Sequence, residues 1–117
     1  MEREIKFRAK SNGRWVYGHY YNNKSYAVNT DYIVSDVGKT DGEHFVVDSG
    51  TLGEFTGLKD KNGEPIFEGD LLTGSLEVYW CVADGAWSLR NNGDSWFIGD
   101  FDLTDIKVIG NIHTEQK

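Results

Sequence analysis

The chain of 117 residues has one cysteine, one proline and one methionine, and no run of eighteen apolar residues. The single thiol, Cys81, excludes an internal disulfide and a cysteine-rich zinc site. Without a long apolar run there is no segment to cross a membrane as a helix. The opening Met1-Glu-Arg-Glu-Ile-Lys6 lacks the apolar stretch of a signal peptide, which predicts a cytoplasmic protein. Cations are also scarce, with 12 Lys and Arg against 19 Asp and Glu and a net charge of −7. That balance works against broad nucleic-acid binding, which depends on neutralising phosphates. No Gly-Lys-Ser/Thr phosphate loop, Gly-x-Ser-x-Gly elbow or dinucleotide fingerprint occurs. Amphipathic helix periodicity is missing too; no window holds apolar residues at i, i+3, i+4 and i+7 over three turns.

Glycine and the aromatics are plentiful. Fourteen glycines suit tight turns between short strands, and a length of 117 residues allows one domain with one modest core. Charge is distributed unevenly. Residues 1–14 carry Arg3, Lys6, Arg8, Lys10 and Arg14 against Glu2 and Glu4, a net +3, whereas residues 15–117 carry seven basic and seventeen acidic groups, a net −10. A basic first strand on an acidic body suits an electrostatically complementary partner, a second copy included. The plain alternative is charge facing water.

Period-2 alternation runs through the chain. Glu4–Lys10 places Ile5, Phe7 and Ala9 on one face and charges on the other. Asn12-Gly13 tolerates positive φ and predicts a hairpin into Arg14–Tyr21, where Trp15, Tyr17, His19 and Tyr21 share a face. Asn22–Ser25 reads as a turn, Tyr26–Val28 and Tyr32–Val34 as short strands, and Asp36–Glu43 as a polar loop. His44–Val47 is a strand and Asp48–Gly50 a turn. After residue 70, Ser75–Val82 and Ala86–Arg90 pair across Ala83-Asp84-Gly85. Asn91–Asp94 turns again into Trp96–Ile98. The last element, Asp105–His113, aligns Ile106, Val108, Gly110 and Ile112. One turn of helix near Asp100–Thr104 is all the helix expected.

Between these halves, Glu54–Leu58 is apolar, Lys59–Gly63 is a polar turn, Glu64–Phe67 is apolar again, and Glu68-Gly69-Asp70 bends into Leu71-Leu72. Gly57, Gly63 and Gly69 mark three successive bends rather than a repeat, since the residues between them differ. The stretch Gly53-Glu-Phe-Thr-Gly-Leu-Lys-Asp-Lys-Asn-Gly-Glu-Pro-Ile-Phe-Glu-Gly-Asp-Leu-Leu72 resembles the hallmark of the YopX family of phage and prophage proteins. Arg3–Ala9 is similar to that family's opening strand and Val108–Ile112 to its closing one, so the resemblance spans the chain. It implies a small, β-rich, cytoplasmic protein encoded in a phage or an integrated element. It implies no activity, cofactor or catalytic residue. Lys10 departs from the aromatic residue often found after the opening Arg-Ala.

Independently, Glu68-Gly69-Asp70 followed by the hairpin Ser75–Arg90 resembles the start of a small SH3-like barrel. The expected architecture is a mainly β single domain over 1–117, with residues 1–50 as an N-terminal hairpin or extension and 51–117 as a barrel-like portion, with little or no helix.

Candidate chemistries are few. Asp60, Asn62, Glu64, Glu68 and Asp70 bring oxygen donors together, but their spacing does not meet that of a calcium loop. Glu68 and Asp70 as an acid–base pair would need a pocket to raise one pKa. His19, His44 and His113 lie on separate strands, and zinc binding would require them to converge in space. Cys81, beside Trp80 and Val82, reads as a buried, inert thiol. No catalytic, cofactor or metal residue is assigned.

Aromatics carry the remaining signal. Trp15, Tyr17, Tyr20, Tyr21, Trp80, Trp87 and Trp96 exceed what so small a core needs. With flanking cations they form a candidate interaction surface of Arg3, Arg8, Arg14, Trp15, Tyr17 and Tyr21. The function read from this is a non-enzymatic phage accessory domain that binds a protein partner, itself included as a homo-oligomer. One alternative is a nucleic-acid-associated factor in phage replication, stacking a single strand on the aromatics. A metal-dependent hydrolase is the third reading.

Overall fold

A computed structural model describes residues 6–24, 29–35 and 43–113. The expected Arg3, Ile5, Tyr26–Val28 strand and Asp36–Gly42 loop lie outside these. The chain divides into two compact units, Met1–Phe55 and Thr56–Lys117.

In the first unit, β1 (Phe7–Ser11) and β2 (Arg14–Lys24) form the expected hairpin. Asn12 and Gly13 both take positive φ, 54° and 80°, so two residues reverse the chain and set the register. Lys10 then pairs with Trp15, Arg8 with Tyr17 and Phe7 with Gly18. From His19 onward β2 pairs instead with β3 (Asn29–Ser35), which pairs with β4 (Glu43–Val46). The change of partner falls at Gly18, which is buried with φ +154°. A Cβ there would stand 2.0 Å from the Val34 carbonyl oxygen, so only glycine lets the backbones approach.

Phe7 and Ala9 fall on the face the alternation assigns them. Ala9, Ile33 and Val47 form the buried cluster, with Phe7, Val16, Phe45 and Leu52 packed against it. Two expected turns are extended here. Asn22–Lys24 continues β2 because Asn22 is held across the ladder, its amide donating to Asn29 Oδ1 at 2.7 Å and Asp31 Oδ1 at 2.9 Å. Asp48–Gly50 opens β5 (Asp48–Lys59). Its turn chemistry is present but absorbed into a bulge: Asp48 Oδ1 accepts Gly50 N–H at 2.9 Å, and the β1–β5 register slips between Arg8 and Lys10.

The second unit contains the end of β5, β6 (Pro65–Phe67), β7 (Asp70–Leu72), β8 (Leu76–Cys81), β9 (Ala86–Asn91), β10 (Asp94–Phe97) and β11 (Val108–Asn111). The hydrogen-bonded orders are β4-β3-β2-β1-β5-β6 and β10-β9-β8-β7-β11. The chain is thus mainly β, as the alternation predicts. Among the described residues neither sheet closes on itself, so there is no closed barrel, and β10 and β11 stand as open ends of the second sheet.

Ile66, Leu72, Val78, Leu89 and Ile98 make the core of this unit, flanked by Leu58, Trp87, Phe101, Ile106 and Val108. Each fully buried aliphatic side chain contributes roughly 1.5–3 kcal/mol. Gly57, Gly63 and Gly69 all have positive φ, so the three bends are real. Ile98 leaves the strand to begin a 3-10 turn, Ile98–Asp100, and a second spans Leu103–Asp105 where the sequence expects one. The final strand is shorter than expected. Its register slips between Val108 and Gly110, which breaks the alternation, burying Asn111 and leaving Ile112 about half exposed.

Candidate functional site

Among the described residues no tryptophan or tyrosine is buried; the core is aliphatic, with Phe55 and Phe67 as its buried aromatics. Tyr17, Tyr21, Trp80 and Trp96 are therefore surface residues, while Trp87 packs against the core, and their placement follows from the strand register.

On the first unit, Trp15, Tyr17 and Tyr21 share a face of β2 because they alternate, and Arg8 and Lys10 of β1, with Lys6 just before it, lie beside them. The Arg8 guanidinium lies 4.4 Å from the Trp15 ring centroid, and Lys10 Nζ lies 5.4 Å from the same ring. Lys6 Nζ is 5.7 Å from the Tyr17 ring. Tyr21 stacks on Tyr32 at 4.9 Å with an interplanar angle of 12°, and its hydroxyl is 3.0 Å from His44 Nδ1. The result is a ladder of cations and rings across β1, β2, β3 and β4. Contacts of this kind are worth about 0.5–1 kcal/mol at exposed sites and more when desolvated. Arg8 is only 6% exposed, so its charge is held firmly in place.

Of the residues expected to form this surface, Arg8, Trp15, Tyr17 and Tyr21 come together. Arg14 belongs to the opposite alternation; it lines a cleft of about 370 Å³ with Ser11, Asn12, Trp15, Val16, Glu43 and Phe45. Arg3 lies outside the described residues. Lys6, Lys10, Tyr32 and His44 join the face without having been singled out. The two cations were accessible from the Asn12-Gly13 turn, since a two-residue loop sets Lys10 opposite Trp15. Tyr32 and His44 arrive through pairing with β3 and β4, which no local motif announces.

The opposite side of the same hairpin holds a polar pair. The Tyr20 hydroxyl donates to Asp31 Oδ1 at 2.7 Å. This bond, with burial and the Asp31 charge, raises the Tyr20 pKa; the same bond, with the Asn22 amide, lowers that of Asp31.

Acidic residues of the central stretch act on the backbone. Asp60 is 7% exposed; its Oδ1 accepts from Asn62 N–H at 2.8 Å and Glu64 N–H at 2.9 Å, and its Oδ2 from Val108 N–H at 2.8 Å. Burial opposes its charge, yet the donors from Val108, Glu64 and Asn62 and the nearby Lys61 outweigh it and lower the pKa. Asp70, 1% exposed, accepts Phe67 N–H at 2.8 Å and shapes the bend at Gly69. Carboxylates so occupied are turn-forming groups. Among the described residues no group of three His, Cys, Asp or Glu is placed to hold a metal. Cys81 is half-buried rather than buried, its Sγ 3.4 Å from Asp84 Oδ2, because alternation turns it away from Val78 and the core.

No described helix is long and apolar enough to cross a membrane. The model of a family described as YopX protein matches residues 6–117, nearly the whole chain. No curated protein matches the sequence.

Proposed function

The chain belongs to the YopX family, and from that premise we propose that it is a non-enzymatic, phage- or prophage-encoded accessory domain of the cell interior. Its work is to bind another protein through the β1–β4 face. The single observation that carries this reading is the preorganised cation–aromatic ladder of Arg8, Lys10 and Trp15, Lys6 and Tyr17, and Tyr21 with Tyr32. Trp, Tyr and Arg are the residues that dominate binding energy at protein interfaces, and rings already braced lose little entropy on binding. The Lys6 and Lys10 ammonium groups of the ladder favour a partner with acidic side chains facing them.

A nucleic-acid reading draws on one feature, the placement of Lys6, Arg8 and Lys10 at alternate positions leading into and along β1. Two features weigh against it. Each ring of the ladder already has a cation or a second ring against it, which leaves less open ring face for a base to stack on. The chain as a whole is also acidic, at −7.

Affinity capture from cells expressing the native protein, set beside a Trp15→Ala/Tyr17→Ala variant of unchanged circular dichroism, tests the proposal. A partner held by the native chain and lost by the variant is expected. Equal capture by both places the interface elsewhere. Light scattering over a concentration series asks whether that partner is a second copy. A salt-dependent shift of single-stranded DNA that the variant abolishes replaces the protein reading with the nucleic-acid one.

A further inference from the structure

We infer that the open edge of β10 is a second binding site, distinct from the ladder face, built to take an extended basic peptide as an added strand. β10 ends the five-stranded sheet, and among the described residues no strand pairs with its outer side. All four of its residues, Asp94–Phe97, are exposed. The two-residue turn at Asn92-Gly93, with φ of 53° and 90°, makes Asn91↔Asp94 the first ladder pair, followed by Ser95↔Arg90, Trp96↔Leu89 and Phe97↔Ser88. In such a hairpin the pairs alternate between those that exchange hydrogen bonds and those that do not. Asp94 and Trp96 therefore bond to β9, and the peptide N–H and C=O groups of Ser95 and Phe97 are directed outward. Edges of this kind are usually blunted by lysine, proline or a bulge. This one has no lysine, proline or bulge; it is four residues long, its one charge, Asp94, is acidic and so disfavours an acidic strand, and it bears Trp96 and Phe97, 42% and 47% exposed.

Specificity comes from what lies beside the edge. A cleft of about 220 Å³ is lined by Asp84, Ser88, Ser95, Trp96, Phe97 and Asp100. Ser88, Ser95 and Phe97 share the sheet face opposite the Val78–Leu89 core, and Ser88, 3% exposed, lies at its floor. Two carboxylates and the Phe97 ring complement a lysine or arginine side chain, through Coulomb attraction and a cation–ring contact together; Arg90, opposite Ser95 on the same face, is paired with Glu77 at 2.9 Å. The unit supports the same sign, with five basic and eleven acidic residues between Thr56 and Lys117. Strand addition supplies the affinity through main-chain bonds, and the cleft selects a basic residue at one alternate position.

The test is a titration of the isotope-labelled full chain with a capped eight-residue peptide alternating valine and lysine, followed by amide NMR. The expected result is shifts centred on Ser95–Phe97 and Asp84, with slowed exchange of the Ser95 and Phe97 amides. Asp84→Asn/Asp100→Asn should weaken binding by about threefold or more and reduce its salt dependence. Ser95→Pro, which removes an outward donor, should abolish it. A control peptide with glutamate for lysine should not bind. No shift at millimolar peptide overturns the proposal, as does equal binding of the glutamate peptide or shifts confined to the first unit. Full binding by Ser95→Pro, with its fold verified in the same spectra, overturns strand addition.

Discussion

Asp60 Oδ2 accepts the Val108 peptide N–H at 2.8 Å, a bond between residues 48 apart in sequence. One buried carboxylate thereby fastens the turn after β5 to the start of β11, while its other oxygen caps two N–H groups of its own turn. From Thr56 on, the hallmark stretch thus carries a clamp within the second unit.

Asp60→Asn offers one acceptor oxygen where three donors need two. The expected cost is about 2 kcal/mol at neutral pH, the loss of a charge-assisted bond at a buried site. Because the folded pKa of Asp60 lies below the ordinary 3.8, its contribution is complete above that value and is lost as pH falls through the folded one. Urea denaturation should show a clear gap between the two proteins at pH 7 and a narrowing gap below pH 4. A constant gap would refute the assignment of the carboxylate charge as the source.

Gly18→Ala should unravel the pairing of β2 with β3. The new Cβ would meet the Val34 carbonyl oxygen at 2.0 Å, on a backbone whose φ of +154° already disfavours a side chain. A loss of at least about 2 kcal/mol is expected. Hydrogen exchange should report it as faster exchange over His19–Lys24 and Asn29–Val34, with the core strands β8 and β9 little changed. Native-like protection of β2 in the variant contradicts the close approach.

Tyr20 and Asp31 should titrate apart from their kind. With the phenol pKa raised and the carboxyl pKa lowered, the bond stabilises between the two ordinary values. It is lost as pH falls through the Asp31 value or rises through that of Tyr20. Ultraviolet titration should therefore show a late-ionising phenol that Tyr20→Phe deletes and Asp31→Asn moves back toward 10. A late phenol that survives both changes belongs to another tyrosine.

Glu77 and Arg90 form an ion pair at 2.9 Å across β8 and β9, with side chains 24% and 51% exposed, and Arg90 also lies over Tyr79 at 4.3 Å. Solvent screens such a pair, so Glu77→Gln should cost less than about 1 kcal/mol. Arg90→Ala should cost more than Glu77→Gln because it also uncovers the ring. Equal losses in thermal melts show that the ring contact contributes nothing.

What could be read without coordinates was local. Asn12-Gly13 and Asn92-Gly93 mark two-residue turns, and Phe7 and Ala9 alternate with Lys6, Arg8 and Lys10, so both hairpins and the cation–ring pairing of Lys10 with Trp15 follow. Asn22–Lys24 and Asp48–Gly50 misled for a physical reason. Asx chemistry stabilises a turn, but it serves equally well to bridge a ladder or to fill a bulge, and neighbouring strands decide which.

The sequence by itself determined the family, the all-β class, the reversals at Asn12-Gly13 and Asn92-Gly93 and the face membership along β1 and the first half of β2, because glycine and asparagine at positive φ and period-2 alternation are properties of a few adjacent residues. Only the tertiary structure decided which faces are covered. Alternation separates two sides of a strand and is silent on which side another element will pack against. Tyr17, Tyr21, Trp80 and Trp96 thus remain at the surface while Ile33, Leu72 and Leu89 fill the cores. It also decided that Asp60 reaches Val108 and that β10 ends a sheet. Pairings over such separations depend on which strands find each other once loops close, a competition settled by the whole chain.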